Sequence, residues 1–528
     1  MSWAAVSRMA PNKDLSPNPD SFRRGIAVAL PAAVALIYAL GHLGWYLGTP
    51  LGRVPVLDER ENIDFAQAIF GGTLPALPFY RAPGYALVLA GLRALGISPA
   101  GLFPAALLLG AALHAIDAVL VACVARRWFG DRAALAAGLL FALDPVMVHY
   151  ATQALDATLS LALFLAGLNF LGAALAAPGR ARAWAGAGIS WAAATLVRPN
   201  YLLAWVLIPL FALFQAGTGR SRGRILAASL AGALLFCAAS AWQWRVSGVA
   251  GFLPWQGAYN LWSANRPGAN GRFYTQQVSL SPALARSNPA RAESIYLYEK
   301  ETGGQPQDIP MMNAYWRRRF LDEVTSHPLR WAGLEARKAY ALLNDWEQYN
   351  NKTFAFHKAR SPWLRWNPIC WGALLVLGVA GAARLASENP RAAAALAAVS
   401  VACAASLLLF FVSARFRLPL AAVLAVLAGG AVGSPGFWRA WSPGRRAALA
   451  ACAAAAGFAA FSDFGGVRDR ATFVQDHVLL ARAAFTVGDD ATALSEAREA
   501  LKMQPLHPDA SVIAEAAGAE LAKKGAAP

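Results

Sequence analysis

The sequence predicts an all-α polytopic membrane protein, on three observations. Of its 528 residues, 57% are hydrophobic and only 15% are charged. The apolar residues recur in runs of about 17–25, the length at which a helix crosses a bilayer. The net charge is +17, but the arginines sit mainly in short loops between those runs. That is the pattern of topology signals and lipid-headgroup contacts, not of a nucleic-acid-binding face. Cys123, Cys237, Cys370, Cys403 and Cys452 lie in or beside apolar runs without paired spacing, so neither a disulfide framework nor a zinc site is indicated.

Taken in order, residues 1–24 form a polar tail ending in Arg23-Arg24, which puts the N-terminus in the cytoplasm. Span one, 25–47, lacks a small-residue cleavage site and reads as an uncleaved anchor. The first outer loop covers 48–100. Within it, 83–97 is apolar but short and carries Arg93, so it reads as interfacial or re-entrant. Span two is 102–125 and leads to inner Arg126, Arg127 and Arg132; span three is 133–149. Span four starts near Gln153 with Asp156 in its first turn and ends at inner Arg180 and Arg182. Span five, 184–197, ends outside at Arg198-Pro199-Asn200; span six, 201–216, ends inside at Arg220, Arg222 and Arg224. Span seven, 225–244, opens a large outer loop at 247–366. Spans eight (368–386) and nine (392–411) precede outer Arg415-Phe416-Arg417. Spans ten (418–432) and eleven (447–461) close a membrane domain of 25–465 and leave the C-terminus outside. Counting 83–97 as a crossing would place three arginine-rich loops outside, against the charge rule, so about eleven spans are expected.

Residues 466–528 are polar and helical in pattern. Gly488-Asp489, Ala493, Ala500 and Pro505 match the spacing of one 34-residue tetratricopeptide repeat, and a generic alanine-rich hairpin fits the same pattern. A single repeat is fewer than the roughly three a free-standing array needs. This segment therefore docks on the membrane domain or completes a protein partner's array.

The chemistry gathers on the outer face: Asp58 and Glu59, Tyr80 and Arg81, Asp156, Arg198, Arg415 and Arg417. Carboxylates beside a bilayer are costly to keep dry and point to function. The plain alternatives are a solvated first helical turn for the acids and interfacial snorkelling for the arginines. Together they suit one reaction class: guanidinium groups bind a lipid phosphate, and a carboxylate takes the proton of an acceptor. Asn260, Trp262 and Asn265 in the large loop interleave aromatics with amides, as sugar recognition or an aromatic interfacial loop does. Glu347, within 344–351, is a third acid of that face or merely exposed. A transporter or flippase would show mid-span acids, broken helices and inverted repeats. The acids read as lying at span ends, and no half matches the other. A membrane scaffold recruiting partners through 466–528 would leave Asp58 and Asp156 unexplained.

The order Asp58-Glu59, Pro83-Gly84-Tyr85, Asp156, Arg198-Pro199-Asn200, Asn260-Leu261-Trp262, Asn265-Arg266-Pro267-Gly268, Trp346-Glu347-Gln348-Tyr349-Asn350-Asn351 and Arg415-Phe416-Arg417 resembles a known family. It is similar to the bacterial GT-C glycosyltransferases related to protein O-mannosyltransferases and to aminoarabinose transferases of lipid A, over roughly 25–435. The resemblance implies a GT-C-like fold, a polyprenyl-phosphate-linked sugar donor, and transfer outside the cytoplasm, usually with inversion; the cationic charge and the topology point to the inner membrane of a bacterium. The acceptor would be a glycan, lipid or protein. It implies an essential Asp at Asp58 and a second acid at Asp156; in the mechanism these residues suit, Asp58 takes the acceptor's proton or orients the acceptor, and Asp156 and Glu59 position the acceptor or stabilise charge on the sugar. Arg415, Arg417, Arg198 or Arg81 would hold the lipid phosphate, and the sequence does not rank them. Tyr80, Tyr85, Asn260, Trp262, Asn265 and Glu347 would contact sugar or acceptor. No metal is required, though the acidic cluster is able to hold a divalent cation. Ala82-Pro83 stands where the family often has Pro-Pro, and Phe416 where it often has Tyr.

Overall fold

The computed structural model describes residues 19–215, 220–278, 288–304, 308–365 and 369–525. Most of the expected N-terminal tail and the ends of spans six and eight therefore lie outside the described residues. Those residues form helices and no β-strand, apart from one isolated bridge between Asn350 and Lys352.

Helix α1 (Pro19–Leu47) is the first span, followed by the single turn α2 (Pro50–Arg53), whose Thr49 hydroxyl accepts the Gly52 N–H. Helix α3 (Asp58–Gly71) opens on Asp58 and stops at Gly72, which takes the left-handed conformation, φ 65°. Helix α4 (Gly84–Ala94) has 11 residues, too few to cross a bilayer, as its sequence implies.

Two expected boundaries shift. Helix α5 (Leu102–Phe129) is followed by α6 (Asp131–Ala142) and α7 (Pro145–Ala151), and the last two meet at a 60° bend rather than forming one straight span. Pro145 cannot donate into a continuing helix, and Asp144 caps the new one by accepting the Val146 N–H at 2.8 Å. Helix α8 (Ala157–Ala176) starts after Asp156, which is its N-cap, so residues 152–155 are not yet helical.

Helices α9 (Ala181–Val197) and α10 (Leu202–Gln215) flank a 3-10 turn at Pro199–Tyr201. Helices α11 (Arg220–Ser229) and α12 (Ala233–Ser247) run almost continuously. The large loop carries α13 (Gln256–Ser263), α14 (Pro289–Thr302), α15 (Ile309–Ser326), α16 (Pro328–Leu343), α17 (Phe354–Arg360) and α18 (Pro362–Arg365). Then come α19 (Trp371–Glu388), α20 (Pro390–Leu409), α21 (Ala414–Val432) and α22 (Pro443–Phe461). The chain closes with α23 (Phe473–Thr486), α24 (Asp490–Met503) and α25 (Pro508–Gly525).

The protein is an all-α polytopic membrane protein. Seven helical stretches among the described residues are long and apolar enough to cross a bilayer, and the bent α6–α7 pair makes an eighth. The expected α9, α10 and α22 spans fall short of that standard: α9 has 17 residues, α10 is shorter still, and α22 carries Arg445 and Arg446 in its first turn. Helix α21 is the bundle's centre, with 78% of its apolar stretch buried. Small residues let neighbours approach it: a Cβ on Gly381 of α19 would lie 1.8 Å from the Leu427 carbonyl oxygen.

One expectation is corrected outright. The acids do not all lie at span ends: Asp117 sits inside α5, fully buried, and neither carboxyl oxygen has a hydrogen-bond partner. The C-terminal segment docks on the membrane domain, since Leu479, Leu480 and Ala483 of α23 share one apolar cluster with Leu51, Val56 and Tyr85. A tetratricopeptide assignment for it still rests on residue spacing alone.

Candidate active site

Four helix ends converge on one polar cluster. Asp58 is the first residue of α3, Asp156 the N-cap of α8, Arg415 lies in the first turn of α21, and Arg198 follows the last turn of α9. The N-termini of α3, α8 and α21 thus face the cluster, and such ends favour negative charge. The turn into α3 is strained: Leu57 has φ 49°, one of two non-glycine residues with positive φ among the described residues. The other is Asn351, φ 59°.

Arg415 links the two acids. Its Nη2 donates to Asp58 Oδ2 at 2.9 Å, and its Nη1 lies 3.9 Å from Asp156 Oδ1. Arg198 grips Asp156 with both edges, Nη2 to Oδ1 at 2.5 Å and Nε to Oδ2 at 3.3 Å. Its Nη1 also donates to the Arg415 carbonyl at 3.1 Å. Arg81 pairs with Asp58 and Glu61. Both Arg198 and Arg415 lie over the Phe416 ring, 5.1 and 5.3 Å from its centre. Three guanidinium groups therefore face three carboxylates, and the Arg415 Nε is buried without a partner. Burial alone would raise the Asp58 carboxyl. Arg81 and then Arg415 outweigh burial and hold it below the usual carboxylate range.

The other residues singled out by sequence are placed differently. Glu59 points away from Asp58, as the next residue on a helix does. It pairs with Lys352 at 2.9 Å, both side chains being 1% exposed, and accepts the N–H groups of Val56 and Ala154. Arg417 is held away from the two aspartates: it pairs with Glu347 at 2.6 Å and donates to the carbonyls of Leu342 and Asn344 at 3.2 and 2.6 Å, while its Nε, like that of Arg415, has no partner. It thereby satisfies the C-terminal carbonyls of α16. Its guanidinium also stacks over Trp371 at 4.3 Å. Burial raises the Glu347 carboxyl above its ordinary range, with Arg417 opposing.

Tyr80 donates to Asn288 Oδ1 at 3.1 Å and meets Trp255 edge-on, within the aromatic core of the large loop. Trp262 packs in that core 4.6 Å from Trp316. Asn265 is spent on the carbonyls of Leu261 and Leu409 and on Lys338 Nζ, at 2.7 to 2.9 Å. Tyr85 is buried in the cluster beneath the first loop, and Asn260 is half-buried on α13.

Sequence reasoning missed Glu61, Lys352 and Glu293. Glu61 is three residues after Asp58, hence on the same helix face, and that spacing was the signal for it. Glu293 is fully buried and accepts Tyr259 and Tyr274 hydroxyls at 2.6 Å each and the Val278 N–H at 2.9 Å. The residues present do not fit a divalent cation. Both Asp58 oxygens and both Asp156 oxygens hold guanidinium groups, and no three ligating side chains converge among the described residues.

Residues 81–244 match the family model described as dolichyl-phosphate-mannose-protein mannosyltransferase. That segment is thus similar to a glycosyltransferase family. It contains Arg81, Tyr85, Asp156 and Arg198. No curated protein sequence matches the chain. Among solved structures, it is similar to the Archaeoglobus fulgidus oligosaccharyltransferase in its apo form, at 14% identity and TM-score 0.44, covering 85% of this chain and 57% of that one. It is also similar to the same organism's oligosaccharyltransferase AglB in complex with an inhibitory peptide and a dolichol-phosphate, at 14% and 0.42, covering 88% and 58%. A third is ArnT from Cupriavidus metallidurans bound to undecaprenyl phosphate, at 18% and 0.30, covering 77% of each chain. The chain thus spans less than three fifths of the archaeal enzymes' length.

Proposed function

We propose that this protein transfers a glycosyl group from a polyprenyl-phosphate-linked donor to an acceptor outside the cytoplasm, at the cluster around Asp58, Asp156 and Arg415. The observation that carries this reading is Arg415 held between the two carboxylates, with Arg81 and Arg198 on either side. The likeness of residues 81–244 to a mannosyltransferase family supports the reaction class.

The acceptor's oxygen or nitrogen attacks the anomeric carbon as the bond from that carbon to the phosphate oxygen breaks. Asp58 takes the acceptor's proton, and the polyprenyl phosphate leaves with the bonding pair. Charge develops on the departing phosphate, where preorganised guanidinium groups act best. Arg415 is the natural first contact because it lies between the two acids, 2.9 Å from Asp58 and 3.9 Å from Asp156. As the phosphate engages Arg415, Asp58 gives up one ion pair and becomes free to face the acceptor. Asp156, fixed by Arg198, stabilises positive charge on the sugar ring. Glu59 and Arg417 act through packing, since both are already paired. The acceptor's chemical class, whether glycan, lipid or protein, is set by groups beyond this cluster.

Binding of polyprenyl phosphate alone tests the phosphate assignment. Native mass spectrometry in detergent is expected to show Arg415→Gln binding at least about tenfold more weakly than wild type, the scale of one charge-assisted bidentate contact. Equal binding would contradict the role given to Arg415.

A further inference from the structure

Residues 347–353 form a strap between the cluster and the C-terminal helices. On the inner side, the Gln348 carbonyl accepts the Ala414 N–H at 3.1 Å, beside Arg415. Asn350 donates to the Ser413 hydroxyl at 2.9 Å, and Lys352 holds Glu59. On the outer side, Gln348 Nε2 donates to the Val467 carbonyl at 3.3 Å. The Thr353 N–H donates to Asp476 Oδ1 at 2.8 Å, and its hydroxyl donates to that of Thr472 at 3.0 Å. Asp476 is 1% exposed and lies 3.4 Å from His357 Nε2. Asn351, with its positive φ, lies midway along the strap.

We propose that the C-terminal helical unit is a positioning element of the transfer site, with Asp476 as the positioning residue that fixes the strap. The linkage is continuous. Asp476 fixes Thr353, and with it the neighbouring Lys352. Lys352 fixes Glu59, whose two oxygens hold the N–H groups of Val56 and Ala154. Those two residues stand two positions before Asp58 and two before Asp156. Loosening one end of the strap therefore moves both acids, and a displacement of about 1 Å at reacting groups costs on the order of a hundredfold in rate. The proposal extends the functional reading above, but its structural half is testable without it.

The experiment is amide hydrogen exchange on the full chain in detergent, with Asp476→Ala, Asp476→Asn and Thr472→Val. In Asp476→Ala, exchange is expected to rise about tenfold at Thr353 and also at Val56 and Ala154, the scale of one buried hydrogen bond. Asp476→Asn keeps an acceptor oxygen and should restore most of the protection. With a polyprenyl-phosphate sugar that the wild type turns over, kcat falls in Asp476→Ala while the donor KM stays within about twofold, and Asp476→Asn recovers kcat. If Asp476→Ala fails to fold, Thr472→Val removes a single hydroxyl and carries the same expectation at smaller amplitude. Exchange that rises at Thr353 or in α23 but not at Val56 and Ala154 overturns the proposal. A wild type that turns over no donor sinks the functional reading, and the exchange result then decides the positioning claim alone.

Discussion

At the scale of residues, the arginines separate by what they already hold. Arg415 lies between the two acids of the cluster, whereas Arg417 is bound to Glu347 and to the carbonyls that end α16. Arg417→Met is therefore expected to destabilise by about 3–5 kcal/mol, the cost of breaking a buried pair. Thermal unfolding in detergent would show the loss. Asp117 behaves in the opposite sense. A buried carboxyl without partners costs stability, so Asp117→Leu should raise the unfolding midpoint. The Asp58 pH dependence has a definite sign. Its folded pKa lies below the unfolded value of about 3.9, so its ion pairs contribute full stability above that value. That contribution is lost as pH falls through the folded pKa. The acid limb that Asp58 imposes on kcat/KM should accordingly lie below about pH 4, and a limb near pH 6 would speak against Asp58 as the base. Asp58, Asp156, Arg198 and Arg415 were legible in the sequence because a charge at the edge of an apolar run has few reasons to be there. Periodicity does not give a side chain's direction within a turn or its partner's identity. Glu59 and Arg417 were therefore grouped with them, and Lys352 was passed over.

At the scale of elements, the site depends on where helices begin and how closely they approach. Asp156 reaches Arg198 because α8 starts only after it, and residues 151–153 pass directly against α5. A Cβ on Gly110 would lie 2.2 Å from the Ala151 carbonyl oxygen, so only glycine fits. Gly110→Ala should push this stretch outward, lowering both the unfolding midpoint and transfer, while polyprenyl-phosphate binding at Arg415 changes less. Comparing the three measurements on one preparation checks the ordering. The apolar runs marked most helices to within a few residues, since length and hydropathy determine them. The α6–α7 bend was missed because Asp144-Pro145 falls inside an apolar run, although Asp-Pro is itself a helix start signal.

At the scale of the molecule, an apolar bundle centred on α21 carries its charged cluster at the helix ends, under the aromatic core of the large loop. The first loop and the 347–353 strap pack against α23, and the strap borders that cluster at Ala414. The sequence shows the class of this arrangement. It does not show that the C-terminal segment packs against the first loop, because a contact between residues more than 400 apart leaves no local pattern. Transporters are built around mid-membrane acids and broken helices. Asp117 and the α6–α7 bend meet that description in part, but the converging arginines and acids lie at helix ends.

The most direct test of the central claim is release of polyprenyl phosphate. Purified protein in detergent would receive a panel of polyprenyl-phosphate sugars with cell-envelope acceptors, beside a folded Asp58→Asn variant. Wild type is expected to turn over at least one donor, and Asp58→Asn to do so about 100-fold or more slowly. Undiminished turnover by Asp58→Asn, or no turnover of any donor by the wild type, would contradict that claim.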